Sequence, residues 1–446
     1  MMLIDRSLAR CAAMVCLSVL ATVSPAQDGV PVIERVPQIR ELVDTGYPAS
    51  FALYKDIHAH PELGFQEART ASLLAHEMRS LGFKVTEKVG KTGVVAIFEN
   101  GIGPTVMVRT ELDGLPMEEK TGLPYASKAK TVLDGRETYV AHSCGHDIHM
   151  AVWISTARAL VAMKGEWRGT LMFVAQQGEE VAGGAAGMIA DGLFTRWHKP
   201  DFALALHDRP EAYGTVGLNS GAISSFDTSV DIDFRGVGGH GSRPEETVDP
   251  ILIAAHFITD VQSVVSREKG PFEFGVVTIG AVEAGTVGNI IPDHAILHGT
   301  IRSYKPEVRD KLMLGVQRTA KAAAMMAGAP EPEVSLQDEA DSVVNDDDLV
   351  RRTEPLFKAV FGDANVRHPP PSNASEDFSV FVNQGIPSLY FFIGVYDPKP
   401  VLDSKKPGAA PLPGNHSPLF APVPEPTIKT GALAMTVAVL NLMQRP

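Results

Sequence analysis

Between Phe83 and His207 short apolar runs of β-forming residues alternate with helix-spaced segments, and this alternation restricts the fold more than any other feature of the chain. Phe83–Thr86, Val94–Phe98 and Thr105–Arg109 are strand-like runs parted by Gly and Pro. Ala71, Leu74, Ala75, Met78 and Leu81 recur at helical spacing ahead of Gly82, a stop signal. His149–Met163 then reads as an apolar helix, Thr170–Gln176 as a buried strand, Gly184–Gly192 as a small-residue helix and Phe202–His207 as a strand ending on a histidine. The pattern predicts an α/β fold, a mixed and largely parallel sheet with helices on both faces. Ligands of such sheets bind beyond the carboxyl ends of the strands, where this reading places Glu179, Glu180 and His207.

Near Ser220 the pattern changes. Ser229–Phe234 alternates apolar and polar residues, Pro250–Ser266 is helical, Gly275–Ala281 and Ala295–Arg302 are strands, Pro306–Ala327 is a helix, and a further strand is expected at Glu333–Leu336. That order predicts a ferredoxin-like α+β domain at residues 223–334, inserted into a domain made of 27–222 and 335–446. Two compact units suit 446 residues. The chain returns with a helix around Leu349–Phe361, a strand at Ser388–Ile393 and a final helix at Pro426–Met443, read as too short and interrupted to cross a bilayer.

Residues 1–26 read as an export signal: Arg6 and Arg10 precede an apolar run from Cys11 to Val23, then Ser24-Pro25-Ala26. The expectation is a periplasmic or secreted protein with no stable membrane anchor. Removing the segment takes away Cys11 and Cys16 and leaves Cys144 alone, so a disulfide within the mature chain is excluded. Apolar residues make up 44% of the chain and the net charge is −13, with Lys and Arg scattered, which argues against a nucleic-acid partner.

The chemistry gathers at four places. Cys144-Gly145-His146-Asp147 sets a thiolate and an imidazole two residues apart, able to close on one metal ion or to bridge two. In an extended segment these two would share a face, before a helix that Asp147 could cap. Gln177-Gly178-Glu179-Glu180 offers neighbouring carboxylates that point apart in a strand, so that one ligates while the other faces water. His207 and His416 add two imidazoles. Singly, each has a plainer explanation: a buried thiol, a solvated acidic pair, a core histidine, a loop histidine. As a set, one thiolate, three imidazoles and one carboxylate exceed what one hydrolytic zinc with an open position takes, and two ions sharing a bridge fit better.

The segments Arg109–Pro116, His142–Asp147, Gln176–Glu180, Gly238–Pro244, Gly288–Asp293, Glu376–Phe378 and His416–Phe420 together resemble the M20 metallopeptidase family, in its amidohydrolase branch of aminoacylases, hippurate hydrolases and auxin-conjugate hydrolases. The resemblance implies that Cys144, His146, Glu180, His207 and His416 hold two divalent ions (zinc, manganese, cobalt or nickel), with Cys144 bridging. It implies amide hydrolysis of N-acyl amino acids by a metal-bound water with Glu179 as general base. It implies a homodimer through the inserted lid domain, in which His240 enters the partner's site to bind the oxyanion while Asn289 and Arg302 hold substrate. Asn289 could instead be a turn residue before Pro292, and Arg302 a surface strand charge.

Glu111 stands where relatives usually carry Asp; Asp113 is kept and can orient a ligand histidine. Gln177-Gly178 replaces the common Pro-Ala, and the Tyr396–Pro413 loop is expected to reshape the pocket rim. Glu376 and Asp377 are given a supporting role, with helix capping as the plainer reading. The rival functions are an exported dipeptidase or carboxypeptidase and a non-catalytic binding protein of the same fold.

Overall fold

The computed structural model describes residues 31–444; the export signal expected at 1–26 lies outside the described residues. The central sheet has eight strands: β1 (Lys84–Val89), β2 (Gly93–Asn100), β3 (Thr105–Glu111), β4 (Gly169–Gln176), β5 (Phe202–Ala212), β6 (Val216–Gly217), β11 (Val366–Arg367) and β12 (Ser388–Tyr396), the numbers β7–β10 belonging to a second sheet. Their order is β1-β2-β4-β3-β5-β12-β6-β11. The middle four, β4, β3, β5 and β12, run parallel, and antiparallel β1 and β2 extend one edge.

Helices α1 (Val32–Ala59), α2 (Ala68–Ser80), α3 (His146–Ala162), α7 (Asp347–Phe361) and α8 (Pro424–Met443) pack on one face of this sheet, over a core that includes Trp153, Phe173 and Phe391. The opposite face is covered around Met188, Phe378 and Phe381, with α4 (Gly184–Ala190) contributing. The sequence reading assigns no element to α1, which carries Pro37 and Pro48 in its interior. Its buried Val32, Val36, Ile39, Val43, Leu53, Tyr54 and Ile57 recur at helical spacing and seat it on α3 and α8, packing that outweighs two interior prolines costing about 3 kcal/mol each. α8 corrects another expectation: at 20 residues it is long and apolar enough to cross a membrane, yet 78% of that window is buried inside the fold.

The second sheet, of order β8-β9-β7-β10, comprises β7 (Phe226–Arg235), β8 (Gly275–Ala284), β9 (His294–Ser303) and β10 (Glu333–Ala340), all antiparallel. Val230, Ile232 and Phe234 alternate inward from β7 against α5 (Pro250–Asp260) and α6 (Pro306–Met326), forming a core of their own. β10 stays paired with β7 from Glu333 to Ala340, so the unit runs past residue 334.

What positions the chemistry is a gap between β3 and β5. β3 pairs with β5 only from Val106 to Val108, whereas β12 follows β5 as far as Ala212. β5 therefore continues beyond His207, because β12 supplies hydrogen bonds that β3 no longer does. The start of α3 enters this gap through Gly145, whose φ of 93° is left-handed, and a Cβ there would stand 1.8 Å from Asp208 Oδ2. The expected extended Cys144–His146 segment is thus a tight turn, and His146 is the first residue of the helix. Asp147 lies inside the first turn rather than at the cap: its Oδ2 holds His58 Nδ1 at 2.6 Å, while Glu119 Oε1 takes His58 Nε2 at 3.1 Å.

Two outcomes follow from this packing. Gly145→Ala requires both the left-handed backbone, costing about 1–2 kcal/mol, and displacement of Asp208, so its melting temperature and its bound metal should both fall; a variant unchanged in both contradicts the close approach. For His58, burial lowers the pKa, but the Asp147 and Glu119 bonds override it and raise the value to about 10 from the ordinary 6.5. A raised folded-state pKa gives stability that is full below 6.5 and is lost as pH rises through 10. The urea midpoint should therefore decline over that window, and His58→Gln should flatten the decline.

Candidate metal centre

β3 delivers Asp113 two residues beyond its end, β4 delivers Glu179 and Glu180, β5 delivers His207, and the turn into α3 delivers Cys144 and His146. His416 arrives from the loop before α8. Its backbone N–H donates to Ser143 O at 2.8 Å, and it adopts a left-handed φ of 66°, uncommon for a residue with a side chain.

The ligand atoms of Cys144, His146 and His207 lie within 4.8 Å of one another, and so do those of Cys144, Glu180 and His416. The two triads share the sulfur. Two ligands held tetrahedrally at 2.0–2.3 Å from one ion are roughly 3.3–3.8 Å apart. Cys144 Sγ to His207 Nε2 is 3.3 Å and His416 Nε2 to Glu180 Oε2 is 3.2 Å, near that spacing. Buried His146 and half-buried His207 are both set for coordination by the bond at Nδ1: His146 Nδ1 donates to Asp113 O at 2.8 Å and His207 Nδ1 to Asp208 O at 2.8 Å. A carbonyl only accepts, so the proton sits on Nδ1 and Nε2 faces the cluster with a lone pair. His146 Nε2 and Glu180 Oε1 are buried without a hydrogen-bond partner and stand 3.9 Å apart. Orphaned acceptors of this kind fit a pair of cations. Burial also pushes the Cys144 thiol well above its ordinary pKa, and a cation is what holds such a sulfur as thiolate.

The two glutamates differ. Glu180 is tied to His416, and its N–H donates to Asp113 Oδ2 at 2.9 Å. Glu179 Oε2 stands 3.8 Å from His146 Nε2 and faces a cavity of about 700 Å³. Burial first, then the Glu376 and Glu180 carboxylates, raise the Glu179 pKa well above its usual range.

Several residues of the centre were not foreseen. His149 follows His146 by one helical turn, and its Nδ1 meets Glu111 Oε2 at 3.0 Å. Burial opposes the charge on His149 while Glu111 favours it, giving a pKa of about 9. The Asp208 N–H donates to His149 Nε2 at 3.0 Å, which only an unprotonated nitrogen accepts, so the geometry is that of a neutral ring with its proton on Nδ1. The two hydrogen bonds fix both ring nitrogens at once. The His-x-x-His spacing was a usable signal for His149. Arg109 is fully buried and gathers Glu111, Glu376 Oε1 at 2.8 Å and Asp377 Oδ1 at 3.0 Å, with Gln176 Oε1 at 2.9 Å from its Nε. Glu376 and Asp377 thus tie strands together around a guanidinium and also cap helices: Asp377 Oδ2 accepts the Ala185 N–H in the first turn of α4 at 3.0 Å, and Glu376 Oε1 accepts the Phe378 N–H at 2.9 Å.

Arg302 lines the cavity, paired with Asp227 Oδ2 at 2.8 Å. His240 and Asn289 lie outside it. Both are exposed, His240 on a two-stranded ribbon opposite Ile290 and Asn289 in the turn that leads into it, where the Gly241 N–H donates to Asn289 O at 2.8 Å. The Tyr396–Pro413 loop does not shape the rim as expected: residues 372–376 form that wall, while the loop folds into a short helix, Pro398–Ser404, and is closed by Tyr396 Oη donating to Pro413 O at 2.8 Å.

Comparison with known proteins agrees with this centre. The model of peptidase family M20/M25/M40 matches residues 107–403. The chain is 36% identical over 330 residues to a hippurate hydrolase of Campylobacter jejuni, covering 73% of this chain and 82% of that one. It is 34% identical over 385 residues to thermostable carboxypeptidase 1 of Saccharolobus solfataricus, covering 85% and 92%. A dinuclear metal-binding peptidase of the M20 family from Bacillus subtilis superposes with a TM-score of 0.72 at 26% identity, covering 90% of this chain and 100% of that one. With its ligand triads, buried sulfur and parallel sheet, the chain belongs to the M20 peptidase family and is a hydrolase acting on amide or peptide bonds.

Proposed function

We propose that this protein hydrolyses the amide bond of N-acyl amino acids, with Cys144, His146, Glu180, His207 and His416 holding two divalent cations and Glu179 moving the proton. The observation that carries the reading is the pair of ligand triads sharing Cys144, with the Glu179 carboxylate 3.8 Å from His146 Nε2 on the cavity side. When bound, two divalent cations make water more acidic and polarise the amide carbonyl. Glu179 accepts the proton that water gives up as its oxygen bonds to the carbonyl carbon, and returns that proton to the nitrogen as the carbon–nitrogen bond breaks. Asp113 keeps both sides of the site in register, its carbonyl on His146 and its carboxylate on the Glu180 backbone. An acyl amino acid fits the reading because the cavity is lined by Arg209 and Arg302, and the hippurate hydrolase relative acts, by its name, on such a molecule. A carboxypeptidase reading draws on the second relative, and relative turnover of N-benzoyl amino acids and dipeptides separates the two.

The homodimer belongs to the same proposal. His240 and Asn289 are exposed and lie outside their own chain's cavity, as groups serving a second subunit would be.

Glu179→Gln should keep its metal, measured by elemental analysis, and lose about 10²–10⁴ in kcat; full activity sinks the assignment. Hybrids formed by dissociating and mixing Glu179→Gln with His240→Ala should recover activity, since one site then has an intact Glu179 and the partner's intact His240. No recovery in confirmed hybrids places His240 outside the partner's chemistry.

A further inference from the structure

One face of the β5–β12 pair forms a wall of the cavity beside the metal centre. In the parallel register of these strands Ala205 stands opposite Tyr390, His207 opposite Phe392 and Arg209 opposite Gly394. Residues two apart on a strand share a face, so Tyr390, Phe392, His207 and Arg209 line the same cavity. Arg209 leaves β5 about 7 Å beyond the ligand His207 along the strand. Gly394 sets no side chain beside it, and its guanidinium lies 4.4 Å from the centre of the Phe392 ring.

The cavity therefore holds two arginines, in different situations. Arg302 reaches in from the lid strand β9, and the N-acyl amino acid reading gives it the α-carboxylate of the substrate. Its contact with Asp227 Oδ2 at 2.8 Å does not prevent this, because a guanidinium carries five N–H donors. Arg209 forms no ion pair with any described residue, and its Nη1 is buried without a hydrogen-bond partner. Stacking on a ring occupies the face of a guanidinium and leaves its N–H edge free, the edge that binds a carboxylate in two parallel hydrogen bonds. The plainer explanation, a cation resting on an aromatic ring at the surface, leaves the buried Nη1 unaccounted for.

We propose that the substrate carries a second carboxylate, in addition to the one left to Arg302, and that Arg209 grips it. The inference rests on the N-acyl amino acid reading and narrows it to doubly anionic amides. The second carboxylate has two possible sources, a short dicarboxylic acyl group or an acidic amino-acid side chain, and both place it a few bonds from the carbonyl that the metals polarise. Arg209 is a binding residue that sets specificity.

The test uses two pairs of substrates that all keep the α-carboxylate. N-succinylglycine and N-butyrylglycine differ in a carboxylate on the acyl group, and N-acetylglutamate and N-acetylglutamine in a carboxylate on the side chain. Release of the free amino acid is measured for the unaltered enzyme, Arg209→Met, Arg209→Lys and Arg302→Met. The expected result is a preference for the second carboxylate of roughly 10-fold or more in one pair, and that pair identifies the source. In Arg209→Met the preference should fall to near parity, through KM with kcat little changed, and Arg209→Lys should restore part of it. Arg302→Met should weaken all four substrates and leave both ratios in place. An unaltered enzyme with no preference in either pair leaves Nη1 to water and overturns the inference. So does a preference that survives in Arg209→Met. Arg209→Met that slows all four substrates alike, with a lower melting temperature or metal content, makes the residue structural and overturns it as well. A metal-loaded enzyme that cleaves dipeptides but none of the four amides overturns the functional reading itself, and the inference with it.

Discussion

The close approach of Gly145 to Asp208 is the constraint on which the site depends. No side chain fits between that backbone and the carboxylate, and the left-handed turn it permits brings Cys144 and His146 to the same cluster from opposite ends. The contact forms only because β5 continues past β3, carrying Asp208 into the gap where α3 begins. Asn415 closes the arrangement, its Nδ2 donating to Asp208 Oδ1 at 2.7 Å and to Cys144 O at 2.9 Å, so the loop bearing His416 is keyed to the same carboxylate.

Around this junction the protein keeps many charges out of water. Arg109 joins three carboxylates, Tyr390 Oη donates to Glu376 Oε2 at 2.7 Å, and Glu111 passes the chain of contacts to His149. Buried ions of this kind are weak stabilisers, because desolvation offsets their attraction, but removing one partner strands the others. Their value here is positional. They fix the ends of β3 and β4 and the 376–377 turn relative to one another, and the orphaned acceptors of the centre stay aimed inward because their neighbours are already committed.

Much of this was legible from residue order. The apolar runs placed the parallel strands to within a few residues, and the strand-end rule pointed to Glu179 and Glu180. Cys144, His146, Glu180, His207 and His416 do come together. What was illegible depended on neighbours that are distant in sequence. The local reading of Cys144–His146 assumed an extended chain, whereas Asp208 dictates a glycine turn. The length of β5 depended on β12, nearly two hundred residues later in the chain, and with it the exposure of Arg209 to the cavity. α1 carries two interior prolines, and its regular apolar spacing was the signal that could have found it. The cavity wall at 372–376 has no signature beyond Glu376, and the lysine- and proline-rich Tyr396–Pro413 loop does not line it.

The central claim is that one sulfur is shared by two cations. Anomalous diffraction from crystals grown with a divalent transition metal tests it directly. The account predicts two peaks about 3.5–4 Å apart, each with Cys144 Sγ in its coordination sphere, one completed by His146 and His207 and the other by Glu180 and His416. A single peak at full occupancy, or two peaks of which neither lies within bonding distance of the sulfur, would contradict it.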